Sequence, residues 1–149
     1  MKEIDLTSFQ PLVRKQGEDL FIYDPNRKKY LFLTPEEWVR QAFIDFLHRE
    51  YNYPLSLIAI ESGLKYGQRA KRSDILVLDR EGQSFLLVEC KSLRVNIDQS
   101  TFHQASTYNS IIQAPYLVIT NGAFYQAYHL DKQEKAYREL SEIPPFPTS

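Results

Sequence analysis

Asp74, Glu89 and Lys91 are the residues whose types and spacing suggest chemistry. Asp74 opens the apolar run Asp74-Ile-Leu-Val-Leu-Asp79, and Glu89 and Lys91 close the run Ser84-Phe-Leu-Leu-Val-Glu-Cys-Lys91. Between the runs lies Arg80-Glu81-Gly82-Gln83. An antiparallel hairpin centred between Glu81 and Gly82 would set Leu78 opposite Phe85, Leu76 opposite Leu87 and Asp74 opposite Glu89. Side chains alternate along a strand, which returns Lys91 to the face of Glu89. Two opposed carboxylates repel and require a cation between them. A divalent ion, Mg²⁺ with Mn²⁺ as a substitute, takes oxygen donors such as Asp74, Glu89 and the backbone carbonyl of Cys90. Lys91 would then position or deprotonate the attacking water, or neutralise charge on a phosphoryl group. The reaction implied is metal-assisted phosphodiester hydrolysis. From spacing alone the competing explanation is a surface lattice of ion pairs at a strand end.

The elements that must position these residues are legible in the apolar periodicity. Leu20-Phe-Ile-Tyr23 and Lys29-Tyr-Leu-Phe-Leu33 flank Asp24-Pro-Asn-Arg-Lys and predict an N-terminal hairpin. Thr34-Pro35-Glu36-Glu37 predicts a helix start, with threonine as cap, proline at the first helical position and Glu37 placed to close a capping box. Trp38, Val39, Ala42, Phe43, Phe46 and Leu47 then form one stripe at helical spacing. A strand over Leu57–Glu61 precedes the two runs described above. Both of those runs are apolar on both faces, so both faces of the sheet should be covered. A second helix runs from about Asp98 or Ser100 to Ile112. Tyr116–Thr120 and Ala123–Tyr128 are joined by Asn121-Gly122, a strong hairpin signal. After the first hairpin the order is α-β-β-β-α-β-β, a mixed α/β (α+β) sandwich built on one sheet. The 149 residues suit one domain with its core over about 34–130, and the stretch 141–149, with Pro-Pro-Phe-Pro at 144–147, predicts an irregular tail.

Composition excludes some classes. Hydrophobic residues make up 43% and charged residues 25%, which is ordinary for a globular chain. The lone cysteine, Cys90, permits no internal disulfide, and no apolar stretch approaches the ~20 residues that span a bilayer. No membrane association and a cytoplasmic location are therefore expected. The net charge of −1 does not advertise nucleic-acid binding. Lys65, Arg69, Lys71 and Arg72 nevertheless crowd into eight residues, with Arg94 following Lys91. Such a cluster is either a solvated loop or, beside a reactive site, a grip on phosphates.

Arg72-Ser-Asp-Ile-Leu-Val77 followed by Leu87-Val-Glu-Cys-Lys91 resembles the Asp…Glu-x-Lys signature of PD-(D/E)XK nucleases. More narrowly, the chain is similar to the N-terminal nuclease domain of type I restriction enzyme R subunits. That likeness is carried also by Glu36-Glu37-Trp-Val-Arg-Gln41, Gln104-x-x-x-Tyr108 and Val118-Ile-Thr-Asn-Gly122, and it spans about residues 30–130. The resemblance implies a restriction-endonuclease-like core, DNA as substrate, catalytic positions at Asp74, Glu89 and Lys91, and an accessory role for Gln104. Ser73 stands where a proline is usual, which removes no ligand. R subunits couple this domain to an ATP-driven motor. No Gly-x-x-x-x-Gly-Lys-Ser/Thr occurs here, so no coupling to translocation is expected within these residues.

Other candidates have structural explanations beside functional ones. Glu37 is an accessory metal-site candidate, though its capping-box position already accounts for it. Glu61 is a second acid near the site or a solvated strand end. Gln104 and Tyr108 share a helix face, as ordinary packing also requires. His48, His103 and His129 are scattered and read as surface residues. Cys90 beside acids is a poor nucleophile. Three functional readings follow: a metal-dependent DNA endonuclease; a catalytically silent nuclease-fold module that binds DNA or a partner; and a nuclease subunit of a separately encoded restriction or repair complex. Small size and mild acidity point to a partner or a homodimer.

Overall fold

The computed structural model describes residues 1–60, 65–66, 69–70 and 75–148, with the backbone alone at 60, 65–66 and 69–70. Short strand β1 (Lys2–Glu3) is followed by β2 (Val13–Gln16), β3 (Asp19–Asp24) and β4 (Lys29–Phe32), which form a three-stranded antiparallel sheet. The expected hairpin is its second half, and wholly exposed β2 adds an edge that its polar sequence did not announce.

Helix α1 (Pro35–Tyr51) starts where the sequence places it. Thr34 Oγ1 accepts from the Glu37 amide at 3.0 Å, and proline occupies the first turn. The capping box is only half formed, because the Glu37 carboxylate turns instead to Gln41 and Arg40. A single 3₁₀ turn (Leu55–Leu57) leads into β5 (Ile58–Ile60). This strand begins one residue later than the expected Leu57–Glu61, and Glu61 lies outside the described residues. A two-stranded ladder, β6 (Lys65–Tyr66) with β7 (Arg69–Ala70), follows. Then come β8 (Ile75–Leu78), β9 (Ser84–Cys90), α2 (Gln99–Ile112), β10 (Tyr116–Thr120), β11 (Phe124–Asp131) and β12 (Ala136–Leu140).

The main sheet has the order β1-β11-β10-β9-β8-β5, with β12 also paired to β11. Among the described residues, its one parallel contact joins β9 to β10, and the others are antiparallel. Period-two alternation distributes the core over two faces. Ile75, Val77, Leu86, Val88 and Val118 pack under α1 with its Val39, Phe43 and Leu47. Leu76, Leu87, Leu117 and Ile119 pack under α2 with its Ala105 and Tyr108. The fold is thus a mixed α/β sandwich with a helix on each face, as the doubly apolar runs required.

The expected β8–β9 register holds at Ile75↔Val88, Leu76↔Leu87 and Val77↔Leu86. It slips at the turn, where Leu78 meets Ser84 rather than Phe85. Asp79 Oδ1 accepts from the amides of Glu81 and Gln83, and Gly82 takes φ +83°, which tightens the loop by one residue on one side. Phe85 is released to pack against Tyr116, Phe146 and Tyr53. Strand β12, with no fully buried residue, gave no periodic signal and is held by its ladder to β11, with Tyr137 and Leu140 packing against the two cores. The C-terminal stretch is irregular as expected, yet it is docked: Ile143 and Pro144 are buried, and Tyr53 Oη donates to Pro144 O at 2.6 Å.

Gly122, in the β10–β11 turn, has φ +92°, and a Cβ there would meet Val39 Cγ2 at 3.1 Å and Leu93 Cδ2 at 3.2 Å. Gly82 has similar backbone geometry with nothing within 4 Å. Gly82→Ala should therefore cost only the left-handed conformation, ~1 kcal/mol, and Gly122→Ala about 2–3 kcal/mol because two packed side chains must also move. Urea unfolding of both variants checks this; equal losses would refute the contact contribution.

Candidate active site at the β9 strand end

Glu89 pairs with Ile119 across the parallel ladder, and Ile119 belongs to the α2-side core. Glu89 therefore faces α2, and it is buried to 2% exposure. A carboxylate so enclosed is tolerated only with charge or hydrogen-bond compensation. Lys91, two residues on, returns to the same side: its Nζ donates to Gln104 Oε1 of α2 at 3.1 Å. Glu89, Lys91 and Gln104 thus come to one side of the sheet. Cys90 points to the opposite, α1-side core and is buried, as alternation demands.

The strand end is fixed by backbone bonds. Lys91 N donates to Thr120 O at 2.8 Å, extending the β9–β10 ladder past Cys90. Val95 N donates to Ser92 O at 3.0 Å, closing a turn, and Asn121 Nδ2 donates to Val95 O at 2.9 Å. Asn121 Oδ1 accepts from the Ala123 and Phe124 amides at 3.0 and 2.9 Å, which makes the Asn-Gly turn the clamp for the loop after Lys91. Arg94 is exposed on that loop. At the start of α2, Asp98 and Thr101 form the capping box that α1 lacks, which sets the helix bearing Gln104.

Under the other face lies a buried charge cluster that sequence reasoning missed. Arg40, with no exposed surface, pairs with Glu37 and with Asp24 at 3.8 Å; Asp24, also wholly buried, is 3.8 Å from Arg27. Gln41 Nε2 donates to Glu37 Oε2 at 3.0 Å. Burial pushes the Arg40 guanidinium down to about 10, opposed by Asp24 and by the Cys90 thiol, so it remains charged at neutral pH. Asp24 Oδ1 accepts from Asn26 N, and Asn26 Nδ2 donates to Ile58 O at 2.8 Å, so the hairpin turn clasps both α1 and β5. Only Asp24 on an inward position of a strand, followed by Pro25, hinted at this in the sequence.

Asp74, Glu61, Lys71 and Arg72 lie outside the described residues, as do the side chains of Lys65 and Arg69. Among the described residues, no group of three or more His, Cys, Asp or Glu side chains could hold a metal. The histidines do not converge: His48 is exposed with Nδ1 2.8 Å from Tyr53 O, His103 is exposed, and His129 packs against Tyr116.

A mixed sheet between two helices, with an acid and a lysine two residues apart at the end of a central strand, places the protein in the restriction-endonuclease-like α+β class. Residues 35–144, most of the chain, match the family described as type I restriction enzyme R protein N terminus (HSDR_N), and the chain belongs to that family. No curated protein matches it. No helix among the described residues is long and apolar enough to cross a membrane.

Removing Arg40 would leave Asp24 buried with only partial compensation from Arg27. Arg40→Met should destabilise the fold by about 3–5 kcal/mol, against about 1 kcal/mol for exposed Arg94→Met. Thermal and urea unfolding would distinguish them, and equal small losses would show the cluster to be dispensable.

Proposed function

We propose that the chain is a Mg²⁺-dependent endodeoxyribonuclease whose reactive groups are Asp74, Glu89 and Lys91, with Gln104 as an accessory. The observation that supports this most is the Lys91–Gln104 hydrogen bond on the face that carries buried Glu89. Two positions named separately by a sequence signature meet across strand and helix. Ile75 pairs with Val88, so Glu89 is the next residue on one strand and Asp74 precedes Ile75 in the chain. Their oxygen-only donor chemistry suits a hard cation, with Asp74, Glu89 and the Cys90 carbonyl as its holders. When bound, Mg²⁺ or Mn²⁺ supplies Lewis-acid stabilisation of a pentavalent phosphate. Lys91, held by Gln104, orients the attacking water or neutralises charge as the phosphodiester bond breaks. Glu37 is engaged by Arg40 and Gln41, so its part is to brace the α1 start rather than to ligate. Arg69, Lys71, Arg72 and Arg94 are the proposed phosphate contacts, and Glu61 a nearby acid.

A second reading has its own support. The matched family is the N-terminal portion of an R protein. The chain can therefore act as the nuclease part of a larger restriction or repair assembly, with a separate partner subunit or a second copy supplying what DNA engagement requires.

Asp74→Asn and Lys91→Ala should each lower Mg²⁺-dependent cleavage of plasmid DNA by at least about a hundredfold, since Lewis-acid and charge effects supply several kcal/mol and ~1.4 kcal/mol is tenfold. Binding of DNA in chelator should persist in both. Full-rate cleavage by both variants would refute the site; wild-type binding without cleavage, alone or with a partner, would establish the silent-module reading. Replacing Arg69 and Arg94 with alanine should weaken duplex binding for all sequences alike and lower its salt slope by about 1–2.

A further inference from the structure

Helix α1 has a second face. Gln41, Ile44, Asp45 and His48 follow the i, i+3, i+4, i+7 spacing of one helix side, beside the stripe of Val39, Phe43 and Leu47 that packs on the sheet. The segment from Phe9 to Leu12 and the stretch from Tyr23 to Pro25 lie opposite, and together they enclose a cleft of about 310 Å³. Its walls are fixed. The Phe9 ring meets Trp38 edge-on at 5.5 Å, Tyr23 N donates to Leu12 O at 2.9 Å, and Asn26 Nδ2 ties the hairpin turn to Ile58 O.

Apolar side chains line most of the cleft, among them Phe9, Pro11, Ile44 and Leu55, while its polar groups from α1 present acceptors. Gln41 is only 4% exposed; its Nε2 donates to Glu37 Oε2, and among the described residues its Oε1 has no partner. His48 Nδ1 lies 2.8 Å from the Tyr53 carbonyl, which can only accept, so Nδ1 carries the proton and Nε2 of the neutral ring is left to accept. Asp45 engages Arg49 through Oδ2 alone. None of the described residues that line the cleft is a lysine or an arginine. Arg49, beside it, is shared among Asp45, Glu50 and, at longer range, Asp5, so three carboxylates stand against one guanidinium.

An enclosed acceptor without a donor, in an apolar cleft, calls for a ligand that brings N–H groups on an apolar stem. A phosphate-bearing ligand would meet Asp45 with no cation lining the cleft to receive it. An arginine side chain is complementary throughout: its methylene stem suits the apolar walls, its planar fork of donors matches acceptors on three residues, and its charge opposes the surplus of acid. The volume is at the small end of pockets that take whole ligands, as one anchoring side chain requires. Leu12, 61% exposed on the cleft, offers apolar surface to the residues that flank such an anchor.

Resting on the reading of the chain as one part of an assembly, and not on its cleavage chemistry, we propose that this cleft is a docking site for an arginine side chain of a partner protein, held by Gln41, Asp45 and His48.

The test titrates the isotope-labelled full chain, without DNA or metal, with the peptide acetyl-Leu-Arg-Leu-amide and follows it by NMR. Saturable shifts of the Gln41 side-chain amide and of Leu12 and Leu55 are expected. The same peptide with uncharged citrulline in place of arginine should bind about fivefold weaker or worse, and Asp45→Asn should weaken the arginine peptide about fivefold. Leu12→Ala should weaken both peptides about twofold alike. Neither substitution opens a core cavity, and circular dichroism confirms that both variants fold. Absence of saturable shifts, shifts confined to other surfaces, equal binding of the two peptides, or binding unchanged in Asp45→Asn would overturn the proposal. Free acetyl-arginine-amide binding as tightly as the peptide would do the same, since a small molecule would then be the occupant. So would a dimer in size-exclusion chromatography that Asp45→Asn dissociates, because the occupant would then be a second copy. Plasmid cleavage without peptide binding would sink only this inference, and peptide binding without cleavage, alone or with a partner, only the nuclease reading.

Discussion

Pairing β9 with β10 in parallel obliges the chain to leave the sheet after Cys90, cross one face as α2 and re-enter at Tyr116. No tight turn can make that connection. The crossover brings a helix over the very face on which Glu89 ends its strand, so Gln104 can reach Lys91. Both strands are buried on both faces, which fixes their register: a slip of one residue would turn Glu89 into the α1-side core and Cys90 out of it. The site's geometry is thereby a by-product of core packing.

The loops that follow the two central strands are locked to each other by the Asn121-Gly122 turn. Asn121 spends its side chain on the turn and on Val95 O, while Gly122 lets Val39 of α1 and Leu93 close over it. A helix from one layer, a turn from the sheet and the loop after Lys91 thus share one contact. Position of the lysine is set by three elements distant in sequence.

Charge is handled differently on the two faces. On the α2 side Lys91 remains partly exposed and donates to Gln104. On the α1 side Arg40 is buried with Asp24 and Glu37, where a low dielectric makes each partner necessary to the others. That cluster fastens the N-terminal sheet to the core of sheet and helices, and it explains why Glu37 does not complete its capping box.

Much of this was readable along the chain. The Thr34-Pro35 helix start, the Leu76↔Leu87 register, the doubly apolar central strands and the shared face of Glu89 and Lys91 follow from neighbours within a few residues, through caps, turns and period-two alternation. The bulge that sends Leu78 to Ser84 was not readable, because alternation does not count the residues a turn absorbs. Strands β1, β2 and β12 were silent for another reason: their residues are mostly exposed, and ladder bonds rather than apolar periodicity hold them. The docked tail, the Arg40–Asp24 pair and the Lys91–Gln104 bond were decided only by the tertiary structure. Each joins groups on different elements, and a local sequence carries no record of which distant side chain will share its low-dielectric space.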